Sequence, residues 1–156
     1  MLEINIPGFG KLELEHLVCD FTGTLSVNGY LLPTVKERLE ELSTLLTIHV
    51  VSADTFGRVN NELSESSCAI TVLKGKQLDV QKEQYVNNLN ANRVVAIGNG
   101  ANDRLMLRSA RLGIAIVEGE GCAVGAMQNA DVLVRSIQEG LSLLLNTQRI
   151  VATLKV

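Results

Sequence analysis

The sequence predicts an α/β fold of three layers, a Rossmann-like parallel sheet between helices, with an added antiparallel hairpin. Three observations carry the prediction. Short apolar runs, Leu17 to Cys19, Ile48 to Val51, Val94 to Ile97 and Leu112 to Val117, alternate with segments of helical period. The runs lack polar alternation, as expected of strands buried on both faces. Ahead of them, Leu2-Glu3-Ile4-Asn5-Ile6 and Lys11-Leu12-Glu13-Leu14 do alternate about Pro7-Gly8-Phe9-Gly10, which reads as a hairpin with one wet face.

The elements follow in order. Asn28-Gly29, between Leu25-Ser-Val and Tyr30-Leu-Leu, predicts a second, tight hairpin, because both central positions of a primed turn need φ > 0. Pro33 is expected to open a helix with Val35, Leu39, Leu42 and Leu46 on one stripe. Asp54-Thr55 reads as the N-cap of a segment through Leu63, Ala69 to Leu73 as a strand, and Val80 to Leu89 as a helix. Asp103 to Ala110 reads as helix and Asp131 to Val134 as the last strand. Ile137 to Leu154 is helical, with a break near Asn146.

A chain of 156 residues that is 46% hydrophobic suits one domain spanning residues 1–156. A net charge of -3, 3% aromatic residues and no basic cluster argue against nucleic acid as a partner. No apolar stretch nears the roughly 20 residues of a membrane helix, and Met1 to Gly10 does not read as a signal peptide, so the expected location is the cytoplasm. Cys19, Cys68 and Cys122 have neither disulfide nor zinc spacing and read as buried hydrophobes; His16 and His49, in or beside strand runs, read as structural.

The chemistry concentrates at strand ends. Asp20 closes the first run and is followed by Phe21-Thr22-Gly23-Thr24-Leu25, a turn able to hold one carboxylate in a nest of backbone N–H groups. A carboxylate there faces the crevice where α/β proteins bind ligands. It attacks phosphorus only if the phosphoryl dianion is neutralised and held in line, so cations and donors are needed elsewhere. Ser52 ends the second run, Lys82 opens a helix-like segment, and Gly98-Asn99-Gly100-Ala101-Asn102-Asp103 follows the third.

The series Asp-x-Thr-Gly-Thr, Ser, Lys and Gly-Asn-Gly-x-Asn-Asp resembles the four motifs of the haloacid dehalogenase superfamily, in the variant of the P-type ATPase phosphorylation domain. The whole chain resembles the small soluble P-type-ATPase-like hydrolases of that superfamily, through Leu112-Gly-Ile-Ala-Ile and the terminal Arg149-Ile-Val-Ala-Thr-Leu. The resemblance implies a Mg²⁺-dependent phosphohydrolase that forms an aspartyl-phosphate at Asp20. Catalysis would rest on Asp20, Thr22 and Lys82. Phosphate would be bound by Phe21, Gly23, Thr24, Ser52, Lys82 and Asn102, and the metal by Asp20, Thr22, Asn99 and Asp103. Lys74 and Lys76, in a loop around Gly75, compete with Lys82 for the cationic role.

Two departures from the pattern bear on rate. Thr22 stands where many phosphatases of the superfamily carry an acid/base Asp, and Asn99 where the pump-like motif has a metal-binding Asp. Slow turnover is expected, and the alternative is a catalytically impaired phosphate-binding or regulatory protein of the same fold. Only about thirty residues separate successive motifs up to Lys82, all used by secondary structure, so no cap domain is expected between them. The open site would take a phosphorylated small molecule or phosphoryl donor, unless a second copy in a homo-oligomer closes over it.

Overall fold

The computed structural model describes residues 1–156. β1 (Leu2–Ile6) and β2 (Gly10–Leu14) form the predicted antiparallel hairpin, with Leu2 opposite Leu14 and Ile6 opposite Gly10. Ile4, Ile6, Leu12 and Leu14 are buried, while Lys11 bridges Glu3 and Glu13 on the wet face. β3 (His16–Cys19), β6 (Thr47–Ser52), β7 (Ala69–Val72), β8 (Val94–Gly98), β9 (Leu112–Ile116) and β10 (Val132–Val134) make one parallel sheet in the order β10-β9-β8-β3-β6-β7. The chain winds outward from β3 through β6 and β7, then returns to β8 on its other side. That reversal opens a crevice at the carboxyl ends of β3 and β8, the place where such sheets bind ligands.

Alternation along the strands sorts the side chains into two layers. Leu17, Cys19, Ile48, Val50, Val95 and Ile97 join a core of 27 residues with α1 (Val35–Ser43), α6 (Ile137–Leu145) and α7 (Thr147–Leu154), which also takes in the β1–β2 hairpin. Val18, Val51, Val94 and Ala96 face α3 (Leu78–Asn88), α4 (Arg104–Ser109) and α5 (Val124–Gln128) in a core of 9. The smaller core leaves room on that side for buried polar groups, Lys82 and Asp103 among them. No helix is long and apolar enough to cross a membrane.

Several boundaries differ from expectation for local reasons. Thr34 takes φ 65, so the helix expected to open at Pro33 starts at Val35; Leu46 lies beyond its end yet is still buried. The Asp54–Leu63 segment contains only the short α2 (Val59–Glu62), because Asp54 and Gly57 both have positive φ and shape a turn first. Asp54 still caps it, its Oδ1 accepting from the N–H groups of Arg58 (2.8 Å) and Val59 (3.0 Å). α5 was not expected, since Val124-Gly-Ala-Met-Gln is short and holds a glycine. The Asn146 break is observed between α6 and α7, and Asn28 and Gly29 have the positive φ of a primed turn between β4 (Ser26–Val27) and β5 (Tyr30–Leu31).

The two histidines are structural. His16 Nδ1 lies 3.1 Å from His49 Nε2, and His49 Nδ1 lies 2.9 Å from the Tyr85 hydroxyl, tying β3 and β6 to α3. Burial, with the His16 charge adding to it, lowers the His49 pKa below the ordinary 6.5. As pH falls through 6.5, the unfolded chain takes up this proton before the folded one does. Stability from His49 is therefore complete above that pH and lost below it, toward the folded-state value. Melting curves at pH about 7.5 and about 5.5 should show a larger acid loss for the native chain than for His49→Gln. Equal losses would place the acid sensitivity elsewhere.

Candidate active site

Asp20 emerges from β3 with its backbone N–H bonded to Ile97 of β8 (3.0 Å), which fixes the carboxylate over the crevice. The turn behind it folds onto the Phe21 carbonyl, which accepts from Leu25 N (3.0 Å), Ser26 N (3.0 Å) and Ser26 Oγ (2.9 Å). Phe21 is wholly buried and anchors the turn by its ring. The nest foreseen from sequence is only partly free. The Gly23 N–H already donates to Ser26 O at 2.9 Å and the Thr24 N–H to Phe21 O at 3.2 Å. Gly23 is instead required sterically: its φ is 78, and a Cβ there would collide with the Asn99 amide.

Lys82 is the cation of the site. It projects from the second turn of α3, and its ammonium is fully buried, 2.7 Å from Asp20 Oδ1, 2.7 Å from Asp103 Oδ1 and 3.3 Å from Asn102 Oδ1. Three acceptors match its three donors. Lys74 and Lys76 are exposed on the loop before α3 and do not share this position. Burial penalises the Lys82 charge, but the Asp20 and Asp103 carboxylates outweigh it and hold the pKa above the ordinary lysine value. Burial likewise pushes the Asp20 carboxyl up to about 6; the Asp103 charge adds to this, and Lys82 offsets part of it.

Asp103, expected at the metal, is wholly buried away from the cleft. Its Oδ2 accepts from Asn99 N (3.0 Å) and Gly100 N (2.8 Å) while Oδ1 takes Lys82. It therefore holds the turn after β8 and the lysine together. Asn99 is a tether as well, since its Nδ2 donates to Gly121 O at 3.0 Å and its Oδ1 lies 3.2 Å from Thr24 Oγ1. Thr24 Oγ1 is also 3.3 Å from Asp20 Oδ2, and its single proton serves one acceptor at a time. Farther out, Asn28 N donates to Glu120 Oε2 at 3.2 Å, so the β4–β5 flap, the 118–121 loop and the turn after Asp20 are linked through hydrogen bonds.

Asp20, Thr22, Ser52, Asn99 and Asn102 border one cleft of about 350 Å³, together with Ala53, Thr55, Gly100 and Ala101. Ser52 Oγ accepts from Asp54 N at 2.8 Å, which leaves its proton for a ligand. Thr22 Oγ1 is buried with no partner at all. Thr55 is not expected here from the sequence, and Ala101 enters as the variable position of the Gly-Asn-Gly-x-Asn-Asp series. Cys19 is buried beside Asp20, and burial raises its thiol pKa well above the usual value, which makes it a poor nucleophile.

The cleft offers a cation one carboxylate, the amide oxygens of Asn99 and Asn102 and the hydroxyls of Thr22, Ser52 and Thr55, and neither histidine nor cysteine borders it. No cluster of three or more His, Cys, Asp or Glu able to hold a metal exists in the molecule. Such a hard, sparse oxygen set fits Mg²⁺, which usually keeps water and binds one or two carboxylates plus substrate phosphate, rather than a softer metal.

In overall architecture the chain matches the cobalt-bound deoxy-D-mannose-octulosonate 8-phosphate phosphatase of Haemophilus influenzae, with TM-score 0.70 and 11% identity over 92% of this chain and 94% of that one. It matches equally the 3-deoxy-D-manno-octulosonate 8-phosphate phosphatase of Moraxella catarrhalis, solved with magnesium, phosphate and KDO, at TM-score 0.70 and 16% identity over 89% and 90%. The fold is that of the haloacid dehalogenase superfamily. A phosphoserine phosphatase in apo form shares it, at TM-score 0.65 and 16% identity over 83% of this chain and 98% of that one. No family model matches the sequence. An uncharacterized protein of Methanocaldococcus jannaschii is 38% identical over 82 residues, which are 53% of this chain and 84% of that protein, and the chain belongs to its family. No cap domain interrupts the core between the strands that carry Asp20, Ser52 and Asn99.

Proposed function

We propose that the protein is a Mg²⁺-dependent phosphohydrolase whose catalytic core spans residues 1–156 and which works through an aspartyl-phosphate at Asp20. The observation that carries this reading is the buried Lys82 ammonium, 2.7 Å from both Asp20 and Asp103, beneath a cleft that only Asp20 of the two acids enters. A carboxylate with a pKa of about 6 is mostly ionised at neutral pH and can act as the nucleophile. Its Oδ1 stays on Lys82. When the Thr24 hydroxyl turns its proton to Asn99, Oδ2 is free to attack phosphorus, and the bond from phosphorus to the leaving oxygen breaks. Ser52, the Asn102 amide N–H and the part of the Phe21–Thr24 turn still free would hold the phosphoryl oxygens, with the buried Lys82 charge beneath them. The Thr22 hydroxyl can hydrogen-bond the leaving oxygen, which takes its proton from water. Water then attacks the acyl phosphate, releases phosphate and restores Asp20.

Asp20, the Thr22 carbonyl and Asn99 Oδ1 would hold Mg²⁺, which neutralises the phosphoryl dianion. Asp103 has no part in that set. The magnesium and phosphate in the Moraxella structure support the same cofactor and a small phosphorylated substrate here. Thr22 is a weak acid and base compared with a carboxylate, and general acid/base catalysis is worth roughly 10² to 10⁴-fold, so slow turnover is expected. This feature, like the motif series, is pump-like. A second reading, phosphate binding without efficient turnover, is favoured by the two hydrogen bonds that already occupy Asn99.

Phosphate release from acyl phosphates, sugar phosphates and nucleotides, with Mg²⁺ and with chelator, tests the proposal. Mg²⁺-dependent release from at least one class supports it, and tight phosphate binding without release supports the second reading. Asn99→Asp should tighten Mg²⁺ binding by about tenfold or more through the added charge. It should also lower the melting temperature in chelator, because the donor to Gly121 is lost. Calorimetric titration of both forms measures the first effect, and equal affinities would remove Asn99 from the metal's ligands.

A further inference from the structure

A second concavity of about 530 Å³ adjoins the cleft, sharing Ala101 and Asn102 with it and running out over Gly75 to Asp79. Two cations border it, Lys76 and Arg104. Its one acid, Asp79, is already paired, with Arg104 Nη2 2.9 Å from Asp79 Oδ2. The groove thus carries one net positive charge in a chain whose net charge is -3. The opposite rim of the cleft, Ala53 and Thr55, carries none.

The loop that presents Lys76 is built rather than slack. Gln81 Nε2 donates to Lys74 O at 3.0 Å and to Lys76 O at 2.8 Å, clamping the loop onto α3. Gly75 and Gln77 take positive φ, 85 and 55, to let the chain close there. Asn102 lines both hollows with its Oδ1 on Lys82, so the path from Asp20 past Asn102 leads toward Lys76 and Arg104.

We propose that this groove receives a second anionic group on the leaving side of the substrate, so that the substrate class is small phosphate monoesters carrying a further phosphate or carboxylate. The proposal rests on the phosphohydrolase reading, and its test does not depend on turnover. Propylphosphonate, propane-1,3-bisphosphonate and 4-phosphonobutyrate, none of them hydrolysable, are titrated calorimetrically into the full chain with Mg²⁺. The bisphosphonate or the phosphonocarboxylate should bind about tenfold tighter than propylphosphonate, as expected for charge-assisted hydrogen bonds at an open site. Which of the two does so identifies the second anion. Lys76→Ala with Arg104→Ala should bring all three probes to the same affinity. Adding Asp79→Asn controls for the carboxylate that Arg104→Ala leaves unpaired. Equal affinities in the native chain, or a preference that survives the substitutions, overturns the groove. A preference for the double anion in a protein that releases phosphate from nothing upholds the groove and overturns the phosphohydrolase reading.

Discussion

Lys82→Met is expected to lower stability by about 3–5 kcal/mol, the cost of removing one partner from a buried ion pair. The ammonium is wholly buried between Asp20 and Asp103, and methionine fills its volume without its charge. What remains is two carboxylates that repel in a low-dielectric layer with no cation between them. The melting temperature should fall by roughly 10 °C for a chain of this size. Acidification should restore part of the loss in the variant, since protonating Asp20 removes the repulsion. Thermal melts across pH check both statements. A loss below about 1 kcal/mol would mean that the triad is solvated and the site is built differently.

Asp20→Asn should reduce turnover by about 10⁴-fold or more, as when the nucleophile of another covalent catalyst is removed. Its stability should move in the opposite direction. The native carboxyl has its pKa raised from 3.8 to about 6, so the fold favours the protonated acid. Its contribution is complete below pH 3.8 and is lost as pH rises through about 6. At neutral pH the ionised carboxylate carries a burial cost that an amide avoids, though the amide also weakens the bond to Lys82. The variant should therefore melt no lower than the native chain above pH 6. Retained phosphate release by this variant would rule out Asp20 as the nucleophile.

These effects come from long-range contacts, and this is where the sequence ceased to be sufficient. The buried strands were legible because β3, β8 and β9 carry unbroken apolar runs, and the wet hairpin because β1 and β2 alternate. That Asp20 and Ser52 would meet at one cleft was legible because both stand where buried strands end, and Lys82 because it lies in a helical segment close behind them. Asp103 was not, because an acid beside a glycine-rich turn looks the same whether it faces a metal or bonds the turn's own N–H groups. The tether from Asn99 to Gly121 joins residues 22 positions apart and leaves no periodic trace. α2 and α5 are too short to show a helical period, and positive φ at Asp54 is a tertiary outcome that residue type alone does not dictate.

The most direct test of the central claim is to trap the intermediate. The protein with Mg²⁺ is mixed with acetyl phosphate, quenched in acid and reduced with borohydride, which converts an aspartyl-phosphate to homoserine, and the peptide containing residue 20 is read by mass spectrometry. Conversion at Asp20, absent in Asp20→Asn and absent with chelator, is the predicted result. Phosphate release with no modification at Asp20, or modification at another carboxylate, would contradict it.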